Sequence, residues 1–177
     1  MSSGNSGIRI RPASRKDVPA IVVVCTTSVS DEEVAGFGVP NSESLYADVG
    51  KLSAAWREPN YVGPEEVFVA EAGGRVVGCS TTEDRGDVLE LVNIDVRPDF
   101  QGRGIGTRLV RYIEERAREQ GKQAVTLGTS RSVHGEPWKS FPWWQAQGYV
   151  VTHEEENAWT RSIGSGVREI RMRKQLV

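Results

Sequence analysis

The residues best suited to chemistry form one short run, Gln101-Gly102-Arg103-Gly104-Ile105-Gly106, followed by Thr107. Glycines at alternate positions let the main chain turn sharply and approach a ligand closely. A helix start leaves its first amides without intrahelical acceptors, and the peptide dipoles add positive potential there. A run of this kind between a strand and a helix is a site for a phosphate or a pyrophosphate. Spacing excludes two common phosphate motifs. A Rossmann fingerprint needs GxGxxG, but here the third glycine comes one residue early and Thr107 stands where that fingerprint wants glycine. A Walker A loop needs Gly-Lys-Ser or Gly-Lys-Thr, which occurs nowhere in the chain.

The elements that must hold this run can be read from periodicity. Gly7 to Arg11 alternates Ile8 and Ile10 with Arg9 and Arg11, as a strand does, and Pro12 ends it. Ser14 can cap a helix from Arg15 to about Ser28 whose apolar positions include Val18, Ile21, Val22 and Cys25. Asp31 to Pro64 is irregular, with a helical stretch from about Ser42 to Arg57. Such a segment is either a substrate-binding wall or a loosely packed helical connection. Glu66–Ala72 and Arg75–Thr82 read as strands joined by a tight Gly73-Gly74 turn. A turn at Glu83 to Gly86 leads to a third strand, Asp87 to Val96, which completes an antiparallel meander. Pro98 stops it, and the glycine run opens a helix from Gly104 to Gln120. Its buried stripe is Ile105, Leu109, Ile113 and Ala117, and Gly121 stops it. A short strand, Gln123 to Leu127, then implies a parallel pair joined by a right-handed crossover. Pro137 to Gln147 reads as a helix that Pro142 must kink or shift, and Tyr149–His153 and Val167–Lys174 read as final strands. The sum is a mixed α/β (α+β) domain over residues 8–177, with residues 1–7 as a disordered leader.

Composition narrows the function classes. The 177 residues carry 22 basic and 24 acidic side chains, a net charge of −2, so nothing global draws the chain to nucleic acid or to an anionic membrane. The longest apolar run, Ala20 to Val24, is far below the ~18 residues of a membrane span. The N-terminus lacks the basic and apolar segments of a secretory signal. Cys25 and Cys79 sit in no metal-ligand spacing, so no metal is expected, and they read as thiols of a cytoplasmic protein, with one disulfide as the alternative.

The glycine run resembles the acetyl-CoA pyrophosphate loop of the GCN5-related N-acetyltransferase (GNAT) family, Q/R-x-x-G-x-G/A, filled here by Gln101, Gly104 and Gly106. Ile94-Asp95-Val96-Arg97-Pro98 is similar to the family's strand end before that loop. Ile8-Arg9-Ile10-Arg11-Pro12-Ala13 with Asp17-Val18 resembles its opening, and Gly148-Tyr149 its Gly-Phe pair. The resemblance spans residues 8 to 175 in order. It implies a GNAT fold with a mixed sheet of about seven strands, about four helices, and the parallel pair at an acyl-CoA cleft. It implies transfer of an acetyl or short acyl group from acetyl-CoA to a primary amine by direct attack in a ternary complex. A non-catalytic acyl-CoA-binding module is the rival class. A small-molecule acceptor is expected ahead of a protein N-terminus or lysine, and a homodimer stays open.

The same resemblance distributes roles. The main chain of Ile94, Asp95 and Val96 pairs with the pantetheine arm, and an amide near Val96 polarises the thioester carbonyl. Gln101, Gly102, Arg103, Gly104, Ile105, Gly106 and Thr107 hold the pyrophosphate. Glu90, eleven positions before Gln101, matches the spacing of a catalytic glutamate and is the candidate general base. Simple alternation puts it on one face with Val92, Ile94 and Val96, and among apolar groups a carboxyl holds its proton more tightly. Asn93 and Asp95 are adjacent alternatives. The family's acidic tyrosine, four residues before the glycine of the Gly-Phe pair, is Trp144 here, and indole is only a hydrogen-bond donor. Ser140, His134 or water must then serve the sulfur, or the thiolate leaves unassisted. The family's asparagine seven residues earlier is Pro137. Trp56, Tyr61 and Trp144 are candidate acceptor-site walls, and the Glu154-Glu155-Glu156 run would favour cationic amines if it rims the cleft.

Overall fold

The computed structural model describes residues 7–27 and 44–177. Residues 1–6 of the expected leader and residues 31–43 of the irregular segment lie outside the described residues. β1 (Ile8–Pro12) leads through one 3-10 turn, Arg15–Asp17, into α1 (Val18–Thr27). Asp17 organises this entry: its carboxylate accepts from the Ser14 amide at 2.8 Å and from both Arg11 nitrogens at 2.8 and 2.9 Å. A second 3-10 turn, Leu45–Ala47, precedes α2 (Val49–Ala55), whose N-cap Asp48 accepts from the Lys51 amide.

Short strands β2 (Trp56–Arg57) and β3 (Tyr61–Val62) feed β4 (Glu65–Ala72), β5 (Arg75–Arg85) and β6 (Val88–Val96). The Gly73-Gly74 turn is as expected, with both glycines at positive φ. α3 (Ile105–Glu119) crosses to β7 (Ala124–Ser130). α4 (Ser140–Ala146), β8 (Val150–Glu155), α5 (Ala158–Ile163) and β9 (Glu169–Gln175) complete the chain.

The strands form one sheet in the order β2-β3-β4-β5-β6-β7-β9-β8, with β1 on the free half of β4. Neighbours are antiparallel except β6 and β7. The described residues hold nine strands and five α-helices rather than about seven and four. The extra strands are two residues each and α5 is six, too short for any period to register. Pro142 neither kinks nor breaks α4, because the helix begins at Ser140 and its first turn needs no proline N–H.

Apolar layers cover both faces. Ile105, Leu109, Ile113 and Ala117 of α3 are at most 1% exposed and pack with Leu89, Leu91, Ile94, Val125 and Leu127. Each large aliphatic buried there contributes about 1.5–3 kcal/mol. The other face is covered by α1 and α2, where Ile21, Val24, Leu52 and Trp56 meet Val67, Val69 and Cys79.

Two irregularities of β6 open the sheet and re-aim its side chains. First, β6 pairs with β7 only at Val88↔Ala124, Leu89↔Val125 and Glu90↔Thr126. Beyond these, β6 stays with β5 as far as Val96 while β7 stays with β9 as far as Ser130, so the sheet splits open. Second, a bulge re-phases β6: Leu91 faces Thr82 and Asn93 faces Thr81, leaving Val92 without an opposite residue. The expected alternation is therefore broken. Leu89, Leu91, Ile94 and Val96 share the α3 face, and Glu90 does not join Ile94 and Val96.

Candidate functional site

The glycine run joins β6 to α3 through one 3-10 turn, Pro98–Phe100. Gly102 and Gly104 adopt φ of 77° and 80°, the left-handed region that costs other residues about 1–2 kcal/mol. Among the described residues, the main-chain nitrogens of Gly102 to Thr107 find no main-chain acceptor, whereas Arg108 is the first to bond back, to the Gly104 carbonyl at 3.1 Å. The Gln101 side chain donates to the Val96 carbonyl at 2.9 Å and pins the run to β6. A cavity of about 330 Å³ opens over these amides, lined by Ile94, Asp95, Val96, Gln101, Gly102, Gly104, Ile105, Gly106 and Thr107, with Phe100 and Trp143 as apolar walls. Of the residues expected here, Arg103 alone stays out of the lining, and its guanidinium stacks 4.8 Å from the Phe100 ring centre.

A second cleft, about 800 Å³, occupies the split between β6 and β7. Ile94, past the point where the sheet opens, borders both spaces. Glu90, Val92 and Asn93 of β6, Gly128 and Thr129 of β7, and Ser140 and Trp144 of α4 line the cleft. Asn157 and Trp159 line it from the α5 side, and Glu169 and Arg171 from β9.

Glu90 is in the cleft wall and 4% exposed, but its surroundings are cationic, not apolar. Arg171 donates to both its oxygens, at 2.6 and 2.9 Å, Thr126 donates at 2.6 Å, and Arg85 lies 3.5 Å away. Arg171 also donates to Glu169 at 3.0 Å. Burial works against its charge, yet the bonds and charge of Glu90 and Glu169 prevail and raise its pKa. This clasp ties β6 to β9 across β7. The bulge produces it, because it turns Glu90 to the face that carries Arg171.

The other expected residues divide. Ser140 is buried in the cleft wall, 3.1 Å from the Thr129 hydroxyl, and Trp144 stacks edge-on against Trp143 and Tyr149. Asn93 lines the cleft, and Asp95 lines the cavity and accepts from the Cys25 thiol at 3.8 Å. His134 does not reach either space: it is exposed on a turn held by Ser132. Trp56 is 4% exposed in the α1-side core and donates to the Pro59 carbonyl, so packing, not a ligand, occupies its ring. Tyr61 carries Arg57 over its ring and lines neither space. Of the acidic run only Glu155 reaches the cleft, while Glu154 pairs with Arg131. Cys25 and Cys79 are both free thiols, and no His, Cys, Asp and Glu group among the described residues could hold a metal. No helix among them is long and apolar enough to cross a membrane.

Arg171 and Thr129 escaped the sequence reading. Arg171 alternates visibly with Glu169 and Arg173 along β9, but which strand lies two places away is a matter of topology.

A split mixed sheet whose free strand edge runs into a helix start with open amides is the frame of a GNAT acetyltransferase. The chain belongs to that family: the model of the acetyltransferase (GNAT) family matches residues 27–136, more than half of it. It is 27% identical over 150 residues to an uncharacterized N-acetyltransferase in the pepI 3' region of Lactobacillus delbrueckii subsp. lactis, covering 77% of this chain and 82% of that one. It is 27% identical over 159 residues to the L-amino acid N-acyltransferase MnaT of Escherichia coli K12, covering 86% and 85%. Among solved structures it resembles the PaiA N-acetyltransferase of Thermoplasma acidophilum in complex with coenzyme A, with a TM-score of 0.70, 18% identity, and coverage of 99% and 100%.

Proposed function

We propose that this chain, as one catalytic unit over residues 8–177, moves an acetyl or short acyl group from acetyl-CoA to a primary amine by direct attack with both substrates bound. The observation that carries the reading is the row of amides from Gly102 to Thr107 that, among the described residues, lack main-chain acceptors and open onto a cavity sharing Ile94 with the cleft. Those amides suit a pyrophosphate. Beyond Glu90 the β7-side edge of β6 has no strand partner among the described residues, so an extended pantetheine arm fits there as an added strand. The acyl carbon would then lie where cavity and cleft meet.

Trp144 cannot protonate a thiolate, but a thiolate with a pKa near ~8.5 is a tolerable leaving group. The buried Ser140–Thr129 pair keeps one hydroxyl hydrogen for it, since the two oxygens share only one bond. A small acceptor suits the cleft better than a protein. The relative named as an L-amino acid N-acyltransferase supports a small amine in the same class. The test is release of free thiol from acetyl-CoA with a panel of amines, alongside calorimetric binding of CoA. Binding without thiol release would make the chain an acyl-CoA sensor, and no binding would end the reading altogether.

A further inference from the structure

An alkylammonium must lose a proton before it can attack a thioester, so a transferase of this kind needs a proton acceptor. The carboxylates in and beside the cleft are not equally able to serve. Glu90 has both oxygens on Arg171 and a third donor in Thr126. Glu169 is held by Arg171 at 3.0 Å and by Asn157 at 2.6 Å. Glu83 pairs with Arg85, and Glu155 stands at the rim with its side chain 45% exposed. A carboxylate whose lone pairs are filled by guanidinium donors is a poor place to deliver a proton.

Glu65, at the start of β4, differs from all of these. Among the described residues it meets no cationic nitrogen and accepts only from neutral hydroxyls, Thr81 at 3.2 Å and Tyr46 at 3.4 Å. Burial raises its carboxyl pKa and the Glu83 charge adds to that, while the Thr81 and Tyr46 bonds pull the other way without prevailing. Among the described residues, Glu83, opposite Glu65 on β5, and Tyr46, from the turn before α2, are the titratable groups that face it. A chain of hydrogen bonds links Glu65 through Thr81 to Asn93 at the cleft wall. The β6 bulge sets Thr81 opposite Asn93, the Asn93 amide nitrogen donates to the Thr81 hydroxyl at 3.4 Å, and Asn93 lines the cleft.

We propose that Glu65 is the terminal proton acceptor of the transfer reaction, reached from the acceptor amine through the Thr81 hydroxyl, with Asn93 orienting the amine. The inference rests on the transferase reading. The ammonium, through one water beside Asn93, gives a proton to the buried Thr81 oxygen while the Thr81 hydrogen passes to Glu65 Oε1. The freed nitrogen lone pair forms the C–N bond, the C–S bond breaks with its electron pair leaving on sulfur, and the second proton that nitrogen must lose to become an amide goes to that thiolate, giving the free thiol. Glu65 afterwards returns the proton to solvent. Because its amide nitrogen is committed to Thr81, Asn93 has its carbonyl oxygen left to accept from the amine. Glu65 and Thr81 are positioning and relay groups behind the amine, not groups bonded to the acyl carbon.

The experiment is the pH profile of kcat/KM for the wild type, Glu65→Gln, Thr81→Val and Thr81→Ser, with any amine the wild type accepts. Alongside it, a carbon NMR titration of the Glu65 carboxyl is run on the protein alone. The expected result is a loss of about 100-fold at neutral pH in Glu65→Gln, at the low end of general-base contributions because a relay intervenes. An ascending limb above the ordinary carboxylate range should vanish with it. Thr81→Val should lose at least about tenfold while the Glu65 resonance still titrates, and Thr81→Ser should restore the rate because it keeps the hydroxyl. An active wild type with unchanged Glu65→Gln and Thr81→Val profiles overturns the inference alone, as does a Glu65 carboxyl that titrates in the ordinary range. A wild type that releases no thiol with any amine overturns the transferase reading and this inference with it.

Discussion

Replacing Gly104 by alanine isolates what the loop conformation is worth. Gly104 has φ 80° and ψ 10°, and an added Cβ would meet no atom within 4 Å. No clash enters, so the cost is conformational alone, about 1–2 kcal/mol for an L-residue held in the left-handed region. If the loop keeps its shape, folding stability falls by that amount. If it relaxes to negative φ, the peptides on either side rotate and the Gly104 and Ile105 amides leave the cavity. Since the ligand needs the original shape, the same free energy then appears in binding, as a CoA dissociation constant raised about 5- to 30-fold. The comparison variant is Gly121→Ala, which has φ 73°, open space around its Cβ, and lies at the far end of α3. It should lose the same 1–2 kcal/mol of stability with CoA affinity unchanged. Urea midpoints and CoA calorimetry on both variants measure the two effects. A Gly104→Ala protein with the wild-type midpoint and a dissociation constant within about twofold of wild type would refute the reasoning that ties glycine geometry to this site.

Three further outcomes are expected. Arg171→Met leaves the buried Glu90 and half-buried Glu169 carboxylates without the Arg171 guanidinium and should cost about 3–5 kcal/mol. At a urea slope near ~2 kcal/mol/M this is a midpoint drop of roughly 1.5–2.5 M, and a drop below ~0.3 M would contradict the clasp. Glu114→Leu strips the Tyr149 hydroxyl, 3.1 Å away and buried, of its acceptor, so the variant should lose about 1–3 kcal/mol in the same assay. Burial alone would raise the Asp17 carboxyl, but the Arg11 bonds and the Ser14 amide outweigh it and hold the pKa below the ordinary value. Its stabilisation is therefore present above the unfolded value near ~3.9 and disappears as pH falls through the depressed folded value. The gap in urea midpoint between wild type and Asp17→Asn should be wide at neutral pH and close toward pH ~2, and a gap that does not vary with pH would contradict it.

The glycine loop of this protein is legible along the chain because its determinants are local. Gln101, Gly104 and Gly106 sit between an apolar strand and a four-residue apolar stripe, and both the turn and the open amides arise from neighbours in sequence. The hairpin at Gly73-Gly74, the crossover to β7 and the buried face of α3 are legible for the same reason. The cleft is decided elsewhere. One extra residue in β6, the bulge at Val92, moves Glu90 from the expected apolar face to the arginine face and brings Asn93 opposite Thr81. No periodicity announces a bulge, because it depends on how two strands must bend against a third. Arg171 lies 81 residues from Glu90 and Thr81 lies 16 from Glu65, and each pair meets only because the sheet order sets their strands within reach. Trp56 and His134 show the converse: residue types that suit a site are set aside as core and as surface by packing alone. Local backbone requirements thus wrote the open-amide loop into the sequence, whereas the charges that line the cleft were assigned by strand pairing, which acts across distances that sequence spacing does not encode.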